Sequence, residues 1–343
     1  MSPIKPQMNP KTIASAEAGA VKVLSILTAL GSRERYHSGA LRSVTFKGRT
    51  VIKTPLGDLT PNYEFDQARK KYAPSVTFHE SGAIKSLRLN EINVVPTPLG
   101  PLPAEKLTFY ENGALKRLFP VDGRLSGFWS LNDEKEFNEP IALRLKFASA
   151  LLRVSVLAFY PTGQLKSVCL WPNEKLHLPL PHTGQPIRVG AGFSLYPDGA
   201  LESIEPAAPT LVPTPVGALL AHDPEATGLT ADENSLAFSP TGEIASLKTL
   251  IIVKGHSPQG PVTMAPRVKP HPLSDHKKVH RPLTLTFLPQ GLGVSHSDPF
   301  EEPTVLDYDH PLSLIPYLAH NLVKVSLKFP PSKPGRPSAP GLA

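Results

Sequence analysis

Twelve histidines, one cysteine and a modest excess of basic over acidic residues are the raw material for chemistry in this 343-residue chain. The only histidine cluster is His271, His276 and His280, in RVKPHPLSDHKKVHR at 267–281. Zinc sites draw three or four ligands together from characteristic short spacings, usually with cysteine or a carboxylate completing the set. Spacings of five and four match no such motif, and Asp275 is the one carboxylate within the segment. The segment reads as a polar, proline-broken linker, and no metal site is assigned. It is also the densest run of positive charge, with Arg267, Lys269, Lys277, Lys278 and Arg281. Contact with phosphates or an acidic surface is one use for such a run, and a solvated loop is the plainer one. Cys169 stands alone, which excludes an internal disulfide framework and a thiolate cluster. It reads as a small apolar strand residue.

Nucleophilic and phosphate-handling motifs are absent from the sequence: there is no GxSxG and no Walker-type loop. The run DEKE at 133–136 and the pair Glu301-Glu302 read as solvated loops, and the other carboxylates are dispersed. No catalytic residue is assigned, no cofactor is expected, and the chain reads as non-enzymatic.

The elements that would have to position any site are announced by a repeat. A six-residue phrase appears as GAVKVL at 19–24, GALRSV at 39–44, GAIKSL at 82–87 and GALKRL at 113–118. It returns as GQLKSV at 163–168, GALESI at 199–204 and GEIASL at 242–247, with a worn copy, GLGVSH, at 291–296. An aromatic and turn-forming residues precede the glycine, as in FYENG at 109–113 and FYPTG at 159–163. Turn formers, a glycine able to take φ > 0, and an immediate return to β-forming residues define a tight hairpin. Proline, at 40 residues, points the same way, because it is excluded from helix interiors and donates no ladder hydrogen bond. One feature is out of phase. In GALRSV the apolar residues fall two and five after glycine, which requires a bulge or a sheet covered on both faces.

A second phrase follows the first at a fixed distance. TPLG at 54–57 and 97–100, TPVG at 214–217 and SPQG at 257–260 each place their glycine 18 residues after a leading glycine. Proline two residues before glycine suits a turn that ends in a φ > 0 residue. Each unit is therefore read as strand, glycine turn, strand, TPxG turn, strand.

The copy at 109–129, FYENGALKRLFPVDGRLSGFW, resembles the variant MORN repeat of bacterial proteins described as YwqK-like antitoxins. The matching positions are Phe109, Tyr110, Asn112, Gly113, Leu115, Lys116, Asp122, Gly123, Leu125, Gly127 and Trp129. The other copies replace the second half with TPxG. The resemblance implies consecutive β-hairpins and a binding, scaffold or antitoxin-like role, and it brings no catalytic residues.

The expected fold is mainly β: tandem antiparallel β-hairpin repeats in an extended or curled sheet, with a small C-terminal cap. The expected organisation is a first repeat block at 12–131, an insertion at 132–150 and a second block at 151–260. A basic Pro/His-rich linker at 261–283, a degenerate repeat and cap at 284–329, and a disordered tail at 330–343 complete it. Within the cap, LSLIPYLAHNL suggests a short helix broken at Pro316 and VKVSLKF a closing strand. No run reaches the roughly 18 apolar residues of a membrane span. Ala18–Leu30 is interrupted by Lys22 and reads as a repeat copy rather than a leader. No membrane insertion and a bacterial, cytoplasmic location are expected. The expected partner is a protein. The alternative is an anionic ligand, such as a polysaccharide, nucleic acid or membrane surface. It would meet a basic strip at the third residue after successive leading glycines: Arg42, Lys85, Lys116 and Lys166, with Lys22 ahead of them.

Overall fold

The computed structural model describes residues 30–317 apart from 66–67, 71, 127, 182, 225, 227–233, 272–273 and 297–300. The chain divides into two compact units at Glu139/Pro140, with turn residues 161–163 grouped with the first. The fold is mainly β and its strands pair as antiparallel hairpins. The first copy of the glycine phrase, the 323–329 segment and the 330–343 tail lie outside the described residues.

The first unit contains β1 (Leu30–Arg35), β2 (Leu41–Phe46), β3 (Ile52–Thr54), β4 (Gly57–Leu59), β5 (Val76–Phe78), β6 (Ile84–Thr97), β7 (Gly100–Phe109), β8 (Leu115–Phe119) and α1 (Leu131–Lys135). Its main sheet runs β1-β2-β5-β6-β7-β8, and β3-β4 stands apart as a two-stranded arm. The second unit opens with β9 (Ile141–Arg144), β10 (Ser149–Leu152), β11 (Val154–Phe159), β12 (Leu165–Leu170), β13 (Leu176–Pro179), β14 (Pro186–Leu195) and β15 (Leu201–Pro206). It continues through β16 (Thr210–Thr214), β17 (Gly217–Ala221), β18 (Leu236–Phe238), β19 (Ile244–Thr249), β20 (Ile251–Ser257) and β21 (Gly260–Met264). It closes with β22 (Arg267–His271), β23 (Ser274–Arg281), β24 (Leu283–Leu288), β25 (Gly291–His296), β26 (Thr304–Asp307) and β27 (Ser313–Pro316). Its main sheet runs β11-β12-β14-β15-β18-β19-β24-β25-β26, with β13 also on β14.

The glycine phrase makes the main-sheet hairpins. Tyr110 N–H donates to the Ala114 carbonyl and Gly113 N–H to the Tyr110 carbonyl, and Gly113 has φ 83°. This is a three-residue loop closed by a left-handed glycine. In every hairpin from Gly39 to Gly242 the pairing then skips one residue. Phe109 pairs with Leu115 and Thr108 with Arg117, leaving Lys116 unpaired. Arg42, Lys85, Lys166, Glu202 and Ala245 are skipped in the same way. The bulge explains the phase misfit: it returns the residue five after glycine to the face of the residue two after it.

That face builds the core. Val44, Val76, Leu87, Leu107 and Leu118 are successive cross-strand partners in the first unit, each at most 3% exposed. Leu157, Val168, Phe193, Ile204, Leu236, Leu247, Leu285 and Val294 repeat the row in the second, each at most 1% exposed. Burial of each such side chain is worth about 2 kcal/mol. A second tie links successive hairpins. Tyr36 donates its hydroxyl to the Phe78 carbonyl, Tyr160 to Leu195 and Tyr196 to Phe238, while His79 Nε2 lies 3.2 Å from the Phe109 carbonyl.

The TPxG phrase makes arms. Thr54, Thr97 and Thr214 each hydrogen-bond through Oγ1 to the carbonyl of the glycine three residues on, and Ser257 does so through Oγ. The arms are β3–β4, the distal part of β6–β7 beyond its register shift between Arg88 and Asn93, β16–β17 and β20–β21.

The frame itself recurs. Gly39, Gly57, Gly82 and Gly100 reappear as Gly199, Gly217, Gly242 and Gly260, each 160 residues later. Leu87 pairs with Leu107 in one copy and Leu247 with Leu285 in the other. The partner strand of the second copy is thus offset by 178, so 18 residues have been added between β21 and β24. They hold the hairpin β22–β23.

Two expectations need correction. The 261–283 linker is strand-forming, containing β22 paired with β23. The segment expected as a helix broken at Pro316 contains β27, which pairs with β20 from Ile251↔Pro316 to Lys254↔Ser313. Pro316 sits at the last ladder position of that strand, where a missing N–H is tolerated.

Candidate functional site

Arg42, Lys85 and Lys116 are exposed and occupy the same bulge in three hairpins of the first unit. They lie on β2 and β6 and just inside β8, two strands apart each time, so their backbones repeat at about 10 Å. Lys116 Nζ sits 5.2 Å from the centre of the Tyr110 ring. Lys166 holds the equivalent bulge in the second unit and is half-buried. Lys22 lies outside the described residues, as do the side chains of His271 and His276. Among the described residues no group of three or more His, Cys, Asp or Glu is placed to hold a metal. Cys169 is buried.

The arms carry what the sequence reading did not anticipate. Leu211 and Leu220 are direct cross-strand partners on β16–β17, 56% and 47% exposed, and Pro213 and Ala218 beside them are partners and exposed. The outer face of this hairpin is therefore wholly apolar, while Val212, Leu219 and Ala221 fill its inner face. The arm of β6–β7 is built alike: Val94, 71% exposed, pairs with Pro103, and Pro96 with Pro101. Strict alternation in a hairpin makes one side core and the other solvent-facing.

The first unit also buries a charge cluster. Arg69 makes two 2.6 Å hydrogen bonds to Glu105 and two 2.8 Å bonds to Glu134, and its guanidinium lies over the Phe137 ring. Glu105 also accepts from Lys70 and from the Asp122 N–H, and Glu134 from the Gly123 N–H and Trp129 Nε1. Arg88 pairs with Asp122. Burial works against the Arg69 charge, yet the two carboxylates outweigh it and hold its pKa above the ordinary value; Arg88 is pushed down by burial. The space between Asn62, Lys70, Arg88, Leu89, Glu105 and Asp122 is about 10 Å³, room for one water molecule. The arrangement is a clamp: it fastens the 69–70 turn, β7, the 122–124 segment and α1 to one another. The reading of 133–136 as a solvated loop is corrected here, since Glu134 lies on α1 and is 3% exposed.

No spacing in the sequence announces this cluster, because its members come from four separate segments. The partial signal was Asp122-Gly123 and Trp129, read as the second half of the MORN-like copy. They form no strand pair beyond an isolated bridge between Ser126 and Trp129. A methyl group at Gly123 would overlap the Glu134 carboxylate, so the glycine serves the clamp.

The second unit buries a different group. Glu205, 3% exposed, accepts from the N–H and the hydroxyl of Ser235 at 2.7–2.8 Å. Burial raises its pKa to about 7 against the lowering effect of those bonds, with Asp223 adding to the rise and Lys248 opposing it. Asp223 and Lys248 pair at 3.4 Å. The neighbouring His222 is pushed below its usual value by burial.

Comparisons with protein-family models, with curated proteins and with solved structures return no match. Among the described residues no helix is long and apolar enough to cross a membrane.

Proposed function

We propose that this chain is a non-enzymatic scaffold that holds a protein partner against the apolar outer faces of its hairpin arms. The observation that carries the reading is the exposed Leu211–Leu220 pair with Pro213 and Ala218 beside it. Contiguous exposed apolar surface marks interaction sites, and β16–β17 supplies it on a rigid two-stranded support. The charged groups favour the non-enzymatic half of the proposal: Glu105, Glu134 and Glu205 are committed to internal donors. The MORN-variant resemblance, with its binding or antitoxin-like roles, points the same way. The test is affinity capture from the source organism with the wild-type chain and with Leu211→Asp/Leu220→Asp, after both are shown to melt alike. A partner held by the wild type and lost by the variant supports the scaffold. Identical captured sets, or a measurable turnover, defeat it.

A second reading rests on the three exposed bulge cations. Arg42, Lys85 and Lys116 present charge at a regular spacing of about 10 Å, which suits an extended acidic polymer. Reversing all three charges should abolish retention on an anionic matrix. Unchanged retention removes this reading.

A further inference from the structure

The hairpin β22–β23 is an addition to the frame, since its counterpart in the first unit, β7, runs unbroken from Gly100 to Phe109. The register Leu247↔Leu285 is kept despite it, so the sheet does not need it. Its described side chains are dominated by positive charge: Arg267, Lys269, Lys278 and Arg281 are all exposed. Arg267 lies directly across the ladder from Arg281, an arrangement that destabilises an isolated hairpin. Glu301 approaches Arg267 at 3.4 Å, which offsets one of the four cations.

The distribution over the two faces is the informative feature. Arg267, Lys269 and Arg281 share one face by alternation and register; Lys278, opposite Pro270, lies on the other. A protein surface or a lipid headgroup plane meets one face of a ribbon. A groove walled by phosphates meets both. The hairpin is anchored at its base, where Val279 is buried and the His280 ring lies 5.7 Å from that of Tyr317.

We infer that β22–β23 is a docking arm for duplex DNA, entering the major groove and neutralising phosphates on both walls. Two strands about 4.8 Å apart with their side chains fit a groove about 12 Å wide. The narrow major groove of A-form RNA does not admit such a ribbon. Four cations aimed at phosphates confer affinity without base readout, so binding is tolerant of sequence and steep in salt.

The experiment is fluorescence anisotropy of the full chain with a labelled DNA duplex of mixed sequence, titrated at several salt concentrations. A dissociation constant of about 1–100 µM at physiological salt is expected, with log K falling against log[salt] at a slope of about −3 to −4. Lys278→Glu/Arg281→Glu should weaken binding at least about tenfold and make the slope shallower by about two. Leu211→Asp/Leu220→Asp should bind DNA as the wild type does, which separates this inference from the protein-partner reading. Absence of binding at low salt, a slope untouched by the charge reversals, or equal affinity for the same sequence as duplex RNA overturns the inference. Preferential binding to poly-glutamate or to anionic vesicles overturns it as well.

Discussion

The hairpin frame between Tyr36 and Phe109 returns between Tyr196 and Leu288, and the two copies differ in what fills their polar side. From 36–60 against 196–220 the identities are Tyr36, Gly39, Ala40, Leu41, Ser43, Thr50, Thr54, Pro55, Gly57 and Leu59. They are turn, bulge-flanking and arm residues, those that set backbone geometry. Ser75 and Ser235 both open their strands with a carbonyl that accepts from the strand beyond, from Arg88 and Lys248 respectively. At that shared position the first copy places Arg88 against Asp122, and the second places Lys248 against Asp223. Glu105, at the centre of the clamp, corresponds by register to Leu283, which is fully buried. One geometry thus tolerates an ionic filling and an apolar one. The difference teaches that backbone constraints were kept while the buried polar chemistry was free to change.

The largest way to break this comparison is to remove one charge from the clamp. Glu105→Leu, which imitates the second copy, strands Arg69 and Lys70 and should cost about 3–5 kcal/mol in denaturant unfolding. Adding Arg69→Met should recover part of that loss, with a coupling of about 1–3 kcal/mol in a double-mutant cycle. Strict additivity would mean the two groups do not act together.

Next in size is the pH response of the second copy. Glu205 has a folded pKa of about 7 against an ordinary 4.5, so the folded state holds its proton where the unfolded chain has released it. Stability through this group is full below about pH 4.5 and is lost as pH rises through 7, by about 3 kcal/mol. Glu205→Gln should flatten that decline in denaturant midpoints measured from pH 5 to 8. A decline that persists in the variant would assign it elsewhere.

Smaller effects sharpen the equivalence of the two frames. Gly39 and Gly199 sit at φ 84° and 86°, so alanine at either should cost about 1–2 kcal/mol. Clearly unequal losses would show that the turns are not equivalent. Tyr36→Phe and Tyr196→Phe each remove one hydroxyl bond between successive hairpins. Each should lower stability by about 0.5–1.5 kcal/mol, which thermal melts can resolve.

Much of this fold was legible because turns are local. Gly113, Gly199 and the TPxG threonines act within five residues, and their chemistry is written in consecutive letters. The out-of-phase leucine in GALRSV even signalled the bulge. The 160-residue recurrence was also present in the glycine spacing and went unread, since attention to the 18-residue offset stopped one level short. The clamp was illegible for a physical reason: Arg69, Glu105, Asp122 and Glu134 meet only after three hairpins have folded. The exposed face of β16–β17 was hidden for another. Leu211 and Leu220 look like core residues until the register shows which side of the arm is already occupied. The inserted hairpin was masked by its prolines, which read as linker because their edge-strand placement depends on the partner strand.

The eighteen residues added between β21 and β24 left Leu247 opposite Leu285. An arm can therefore lengthen without the sheet registering the change, because its two ends leave and re-enter at adjacent strands and closing a longer loop costs little. Each TPxG turn is in this sense a grafting port. Foreign peptides spliced at Leu56, Leu99 or Val216 would be carried on a pre-formed stem, and new recognition could be tried there while the hairpins beneath kept their pairing.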